Sequence, residues 1–412
     1  MAVDSALRSV DEHLKRVLDS ISPLAAYDQP LLEAVGLPIV EDVVSEIDLP
    51  RFDNSAMDGY AVVYRDVAEA SEDRPVHLPV VGESAAGSSK PYAMAPGTAI
   101  KIMTGAPMPS GADAVVPIEW TDGGRAQVRI RRAPTPDQHV RHAGDDVRAG
   151  ELVVEEGTLI GPRETGLLAA IGRNAVRSRP RPRVVIMSTG NELREPGTRL
   201  DYDSIYDANS YLLAAAVKSA GAIAYRVGLV SDDPAEFSDA LSDQLVRADA
   251  VVTSGGVSKG DYDVVKDVLS RLGTVEFCEV GMQPGKPQGF GHVGEDRTPI
   301  FTLPGNPVSA FVSFEVFVLP ALRRMMGRLP YRRPLVEARL TQEVRSNPGR
   351  RAYLRANFEV SGHGARVTPV GGPGSHLIGH LAQSNALLLV EPDGVDRSPG
   401  EIVNVLVLDR DF

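Results

Sequence analysis

The sequence predicts a multidomain α/β plus β protein, with one parallel α/β region flanked by β-rich modules. Three observations carry this reading. Between about 183 and 329, apolar β-branched runs alternate with helical patterns of roughly ten to fifteen residues, the signature of a parallel sheet covered on both faces. From about 51 to 145, and again over roughly the last eighty residues, short apolar runs are punctuated by Gly and Pro, as short strands and turns require. A chain of 412 residues has room for about two to four domains, each able to bury its own core.

The elements follow in order. Leu7, Val10, Leu14, Val17, Leu18 and Ile21 recur at helical spacing among charges, which predicts an amphipathic helix packed in a folded protein rather than a signal peptide. Val35–Pro50 reads as strand or extended linker. The β-rich module contains the runs Val76–Val81, Ala114–Ile118 and Val128–Ile130. Pro162–Ile171 is helical with proline in the first turn, and the Arg- and Pro-rich Arg177–Arg183 reads as a linker. In the α/β region, Val184–Met187, Ala222–Val230, Ala250–Thr253 and Pro299–Leu303 are strands. Helices are expected over Asn209–Ala220, from Asp233 to about Val246, over Tyr262–Leu272, and from Pro307 to Met326. Asp233-Pro234-Ala235-Glu236 has the form of a capping box. The final strands are Leu335–Leu340, Tyr353–Val360, Ala386–Val390 and Ile402–Val407, in a small barrel or sandwich.

Composition narrows the function. The net charge of −12, with no long basic run, argues against a nucleic-acid partner. No apolar stretch reaches the ~20 residues of a membrane span. The one cysteine, Cys278, excludes an intrachain disulfide and any multi-cysteine metal site, which fits a cytoplasmic protein. The eight histidines show no metal-ligand spacing, and no nucleophile-elbow serine occurs.

In an open parallel sheet, ligands bind beyond the carboxyl ends of the strands. Three loops fall there: Ser188–Leu193, Ser254–Asp263 and Leu303–Ser309. The segment Thr253-Ser254-Gly255-Gly256-Val257-Ser258 suits a phosphate, since glycines let backbone N–H groups approach it. Carboxylates gather around the same loops at Glu192, Asp232, Asp261 and Asp263. Beside a phosphate they call for a divalent cation such as Mg²⁺. Asp232 can equally support the helix start beside it, and Asp261 and Asp263 can cap the next helix. Lys286, held between Pro284 and Pro287, is suited to an oxyanion. Two strings remain unusual: Phe52 to Ala61, with two Asp, an Asn and a Ser around a turn, and Ile102 to Pro109, an apolar strand ending at Thr104 in a tight turn.

Taken together, these strings resemble the molybdopterin molybdenumtransferase family, MoeA and the gephyrin E domain, from about Ser5 to Val407. The resemblance rests on FDNSAMDGYAV at 52–62, IMTGAPMPSGADAVVPIE at 102–119 and AGDDVRAGE at 143–151. It continues with STGNEL at 188–193, IYDANS at 205–210, TSGGVSKGDYD at 253–263, QPGKP at 283–287 and LPGNPVSA at 303–310. It implies four domains: a helical linker domain (1–50 and 146–182), an inserted β domain (51–145), a three-layer α/β domain like that of the adenylyltransferase MogA (183–329) and a C-terminal β-barrel (330–412). It further implies a homodimer with the active site at the subunit interface, and transient contact with molybdopterin adenylyltransferase and apo-molybdoenzymes.

Carried over by position, the family's catalytic residues fall on Asp58, Thr104, Asp146, Glu192, Asp232 and Asp263. Mg²⁺ is expected on Glu192, Asp232 and Asp263. Adenylated molybdopterin is expected on Ser254, Gly255, Gly256, Ser258, Pro304, Gly305 and Asn306, and molybdate on Lys286, Arg350 and Ser375. Asn191 stands where many relatives have Asp, Gln283 where a second lysine is frequent, and Lys259 where the residue is usually apolar. Two other readings are a molybdopterin adenylyltransferase and a scaffold like gephyrin. The extra β modules, Asp58 and Thr104 speak against the first. The lack of a fused adenylyltransferase speaks against the second.

Overall fold

The computed structural model describes residues 7–87, 92–256, 264–362, 364–410 and 412. Contacts divide the chain into two compact units: Asp28–Val35 with Ile39–Val176, and the N-terminal segment to Tyr27 with Gly36–Pro38 and Arg177–Phe412.

The first unit holds a five-stranded sheet in the order Ala114–Pro117, Gly59–Val62, Ala99–Ile102, Val76–Ser84, Gln127–Ile130. Val76–Ser84 and Ala99–Ile102 run parallel; the other pairs are antiparallel. Gly59–Val62 is buried on both faces. Tyr60 and Val62 join Val116, Val128 and Ile130 on one side, while Ala61 packs with Ile102 and Val115 on the other. Gly59 is required by close approach, since a Cβ there would lie 2.0 Å from the Val116 carbonyl oxygen. Val35–Pro50 forms only one short strand, Val43–Val44, paired with Leu152–Val154. These residues close a further cluster with Leu31, Ile39, Ile160 and Leu168. Leu168 belongs to the helix Pro162–Ala170, where proline takes the first position and the Glu164 carboxylate accepts the Gly161 N–H at 2.9 Å.

The second unit is built on a six-stranded sheet in the order Ile223–Arg226, Arg183–Ser188, Ala250–Ser254, Thr298–Leu303, Pro287–Val293, Val275–Glu279. The first four strands are parallel, as expected. Pro287–Val293 is antiparallel to both its neighbours, and neither it nor Val275–Glu279 is legible in the sequence. Their apolar residues are interrupted by Gly289, Gly291 and Glu276, so no continuous run marks them. Alternate side chains of the central strands feed opposite layers, giving three layers. Val184 and Ile186 pack with Leu213, Val217, Phe314 and Leu322, whereas Val185 and Met187 pack with Phe237, Leu241, Val265 and Leu269. The helices between and after the sheet strands are Asn209–Ser219, Pro234–Leu245, Val264–Arg271, and a continuous run from Pro307 to Met326. That last run widens into a π turn at Phe314–Val318. Pro320 lies just beyond it and has no N–H to continue the ordinary ladder, which accounts for the local widening.

Beyond the sheet, Arg351–Ser361, Gly364–Pro369, Leu335–Leu340, Ile402–Val407 and Ala386–Val390 pair in that order, and Ala386–Val390 pairs back onto Arg351–Ser361. This return pairing decides for a closed five-stranded barrel over a sandwich, and closure leaves no sheet edge unpaired. Leu340, Ala356, Val367, Leu388 and Val405 fill it. Leu387, Leu389 and Tyr353 face outward onto Val308, Val312 and Phe317, and onto Val10 and Leu14 of the N-terminal helix Val10–Ser20. Arg177–Arg183, expected as a linker, ends one strand, Ala175–Ser178, and begins the next.

Candidate functional site

Three loops meet at the carboxyl ends of the parallel strands, as the sheet argument requires. After Ala250–Ser254 the chain turns through Gly255 (φ +96°) and Gly256 (φ +73°), a conformation that glycine alone adopts without strain. The Gly255 N–H donates to the Leu303 carbonyl at 3.1 Å, and a Cβ on Gly255 would press to 3.3 Å from the Thr189 carbonyl. Asn209 Nδ2 ties two of the loops together, donating to Ser254 Oγ at 2.8 Å and to the Gly305 carbonyl at 2.6 Å. Asn209 is a bracket that the sequence reading passed over; its signal was the IYDANS string itself. Ser258, Lys259, Asp261 and Asp263 lie outside the described residues.

The acidic residues are sorted by the same loops. The Glu192 carboxylate folds back over Gly190, where a Cβ would come within 2.7 Å of it. The neighbouring Asn191 N–H donates to Asp232 Oδ2 at 2.9 Å. Asp232 therefore turns toward the 190–192 loop. It is Asp233 that caps the following helix, accepting the Ala235 and Glu236 N–H groups at 2.8 and 3.0 Å. Among the described residues no group of three or more His, Cys, Asp or Glu is placed to hold a metal, and the third expected ligand, Asp263, is not among them. Glu192 and Asp232 are the two members of the expected carboxylate set that lie among the described residues, both on the 190–192 loop or turned toward it.

A pocket of about 340 Å³ opens beside these loops. It brings together Lys286, Arg350 and Ser375 with Pro304, Gly305 and Asn306, residues from four separate stretches of sequence. Asn306 Nδ2 donates to Ser375 Oγ at 2.9 Å, and the Val308 N–H donates to the Ser375 carbonyl at 3.1 Å. Lys286 Nζ lies 2.8 Å from Glu279 Oε2. Gln283 is uncharged and accepts from Asn347 Nδ2 at 2.7 Å. Two buried residues brace this pocket and were missed in the sequence. Gln288 Nε2 donates to the Gly285 carbonyl at 2.6 Å and to Ser313 Oγ at 2.7 Å, fixing the Pro-Gly-Lys turn. Arg355, 5% exposed, donates to the carbonyls of Gly374 (2.8 Å) and Gly372, and so holds the loop that carries Ser375. Burial pulls its guanidinium down from the ordinary value, yet an arginine stays charged. The readable signal was a cation within the apolar strand pattern Tyr353-Leu354-Arg355-Ala356.

In the other unit, the two unusual strings prove to be one structure. The Gly105 N–H donates to the Ser55 carbonyl at 2.8 Å, the Ser55 N–H to the Ala106 carbonyl at 3.0 Å, and the Met108 N–H to the Asp53 carbonyl at 2.9 Å. This stitching presents Asp58 to Thr104, whose backbone N–H and hydroxyl donate to Asp58 Oδ1 at 2.7 and 2.9 Å. Those two bonds, the backbone one first, hold the exposed Asp58 carboxyl below the usual carboxylate range. Asp146 is on another exposed loop, its N–H donating to the Leu49 carbonyl at 2.9 Å; no hydrogen bond joins it to Asp58 or Thr104. Nearby, the Ala143 N–H lowers the Asp53 carboxyl, and Asp53 in turn raises the His142 imidazole at 3.3 Å.

Comparison with known proteins agrees along the whole chain. Family models match for the MoeA N-terminal region (domain I and II) over 8–172, a probable molybdopterin binding domain over 185–324, and the MoeA C-terminal region (domain IV) over 337–408. The chain is 46% identical over 405 residues to molybdopterin molybdenumtransferase 2 of Mycobacterium tuberculosis (strain ATCC 25618 / H37Rv), covering 97% of this chain and 99% of that protein. It is 35% identical over 378 residues to the molybdopterin molybdenumtransferase of Haemophilus influenzae, covering 91% and 92%. Among solved structures, a molybdopterin biosynthesis MoeA protein from Pyrococcus horikosii superposes with a TM-score of 0.81 at 32% identity, covering 98% of this chain and all of that one.

Proposed function

Because this chain belongs to the molybdopterin molybdenumtransferase family, and is thereby a transferase of molybdenum-cofactor biosynthesis, we propose that it inserts molybdate into adenylated molybdopterin with Mg²⁺-dependent release of AMP. One observation carries the reading: an oxyanion pocket of Lys286, Arg350 and Ser375 adjoins the Pro304–Asn306 loop, which Asn209 links to Ser254 and the Gly-Gly turn.

In this proposal the Ser254–Ser258 and Leu303–Asn306 loops take the adenylate and pyrophosphate through backbone N–H groups such as those of Gly256 and Gly305, the Gly255 N–H being held by Leu303. Lys286 and Arg350 donate charge-assisted hydrogen bonds to molybdate, a tetrahedral dianion, and Ser375 adds a hydroxyl. Glu192 and Asp232, with Asp263, would hold Mg²⁺, which when bound supplies charge neutralisation and a template for the phosphates. Two molybdenum–sulfur bonds form at the dithiolene as molybdate oxygen is protonated and lost as water, and a water or molybdate oxygen attacks the pyrophosphate phosphorus so that AMP leaves. The protein's part is positioning and fixed charge, with no covalent protein intermediate. Asp58 and Thr104 act from a partner subunit in a homodimer, and Asp146 completes the catalytic set. The domain division stated from the sequence, a cytoplasmic location, and transient contact with molybdopterin adenylyltransferase and apo-molybdoenzymes belong to the same proposal.

The test is direct. Purified protein is incubated with adenylated molybdopterin, Mg²⁺ and molybdate, and AMP release is measured together with reconstitution of an apo-molybdoenzyme. Both are expected; absence of AMP under these conditions sinks the proposal.

A further inference from the structure

Lys286 is the cation that the Pro-Gly-Lys-Pro turn presents to the oxyanion pocket, and it is not a free charge. Its ammonium lies 2.8 Å from Glu279 Oε2, with both side chains 31% exposed. The backbone builds this proximity. Glu279 ends the edge strand Val275–Glu279 directly opposite Pro287, the residue after Lys286, and the Val280 N–H donates to the Lys286 carbonyl at 2.7 Å. Position 283 adds no second cation, since Gln283 is neutral. A carboxylate is therefore fixed beside a pocket whose charged lining, among the described residues, is Lys286 and Arg350.

We propose that Glu279 is the affinity-setting counter-charge of this pocket, weakening its hold on a tetrahedral dianion to a level that permits exchange. The proposal rests on the reading of the Lys286–Arg350–Ser375 pocket as the molybdate site. Two effects of the carboxylate oppose each other. It restrains a flexible lysine, which favours binding. It also repels a doubly charged ligand held on the same ammonium, at a separation well inside a Debye length of about 8 Å. A pair this exposed restrains little, whereas the repulsion acts on two ligand charges at once. Repulsion wins, and removing the charge should tighten dianion binding by about tenfold, equivalent to roughly 1.4 kcal/mol.

The experiment titrates sulfate, and separately molybdate, into the full-length wild type, Glu279→Gln and Glu279→Asp by calorimetry. Molybdate KM and kcat for AMP release are measured alongside. Glu279→Gln should bind both dianions about tenfold more tightly and lower the molybdate KM to match, with kcat within about twofold, the pattern of an altered uniform binding term. Glu279→Asp, which keeps the charge, should stay close to wild type. Unchanged dianion binding in Glu279→Gln overturns the proposal. Weaker binding there, restored in Glu279→Asp, also overturns it and makes Glu279 an orienting residue instead. Lys286→Gln separates this from the underlying reading. If that change leaves molybdate binding and KM untouched, the pocket is not the molybdate site, whatever Glu279 does to sulfate.

Discussion

Single residues in this protein take their chemistry from one or two neighbours. Asp58 is fully exposed, and only the Thr104 N–H and hydroxyl lower its carboxyl. A carboxyl lowered in this way stays ionised as pH falls, until its own depressed value is reached. In Thr104→Val one of the two bonds is lost, so Asp58 protonates at higher pH. The acid limb of the kcat/KM profile should move upward; an unmoved limb would remove Asp58 as the group that titrates there. Arg355 illustrates positioning. Its fork reaches two carbonyls, Gly372 and Gly374, and a lysine cannot reproduce that planar pair of donors. Arg355→Lys should therefore raise the molybdate KM by about tenfold or more, as expected for a displaced binding loop, with the thermal midpoint measured alongside to separate loop displacement from unfolding.

Elements are decided at their ends and interruptions. The helix Pro234–Leu245 begins after two adjacent aspartates, of which the sequence marks Asp233 as the cap but leaves the role of Asp232 open. Asp233 takes both N–H groups of the first turn, which leaves Asp232 to the 190–192 loop. Asp233→Ala should cost about 1 kcal/mol of stability with little change in catalysis. Asp232→Ala should do the reverse, raising the Mg²⁺ concentration needed for half-maximal AMP release while the melting curve holds. Equal effects of the two changes on both measurements would contradict this division. The helix run from Pro307 widens into its π turn just before Pro320 and still buries Phe314, Phe317 and Leu322, whose burial outweighs the cost of leaving the ordinary ladder.

In the larger unit the N-terminal helix packs through Val10 and Leu14 onto Val316 and Phe317 of the π turn. His13 is buried there, edge-on to Phe317 at 4.7 Å, with Arg8 Nη1 3.4 Å from its Nδ1. Burial first, and Arg8 second, bring its imidazole down from 6.5 to about 4. Between those values the unfolded chain binds more protons than the folded one, so stability rises with pH across that window and is lost as pH falls through it. The effect is at most about 3 kcal/mol. Thermal melts of wild type and His13→Phe between pH 4 and 7 should show a steep dependence in the first and a flatter one in the second. Parallel curves would show that other groups govern acid sensitivity.

The parallel core, the β modules and the family were legible along the chain, because apolar runs and glycine turns are local features, and eight strings in fixed order leave little else to fit them. The sequence also located the 188–193, 254–263 and 303–309 loops, the second of them described as far as Gly256, since in a parallel sheet ligands gather beyond the carboxyl ends of the strands. Closure of the barrel, the antiparallel strand Pro287–Val293, the turn of Asp232 toward the 190–192 loop, and the braces Asn209, Gln288 and Arg355 were settled by tertiary contacts alone. Each depends on a partner distant in sequence: Val390 for Ala352, Asn191 for Asp232, Gly305 for Asn209, Ser313 for Gln288, Gly374 for Arg355. A hydrogen bond is set by the place where two segments meet, and periodicity along one segment carries no record of the other.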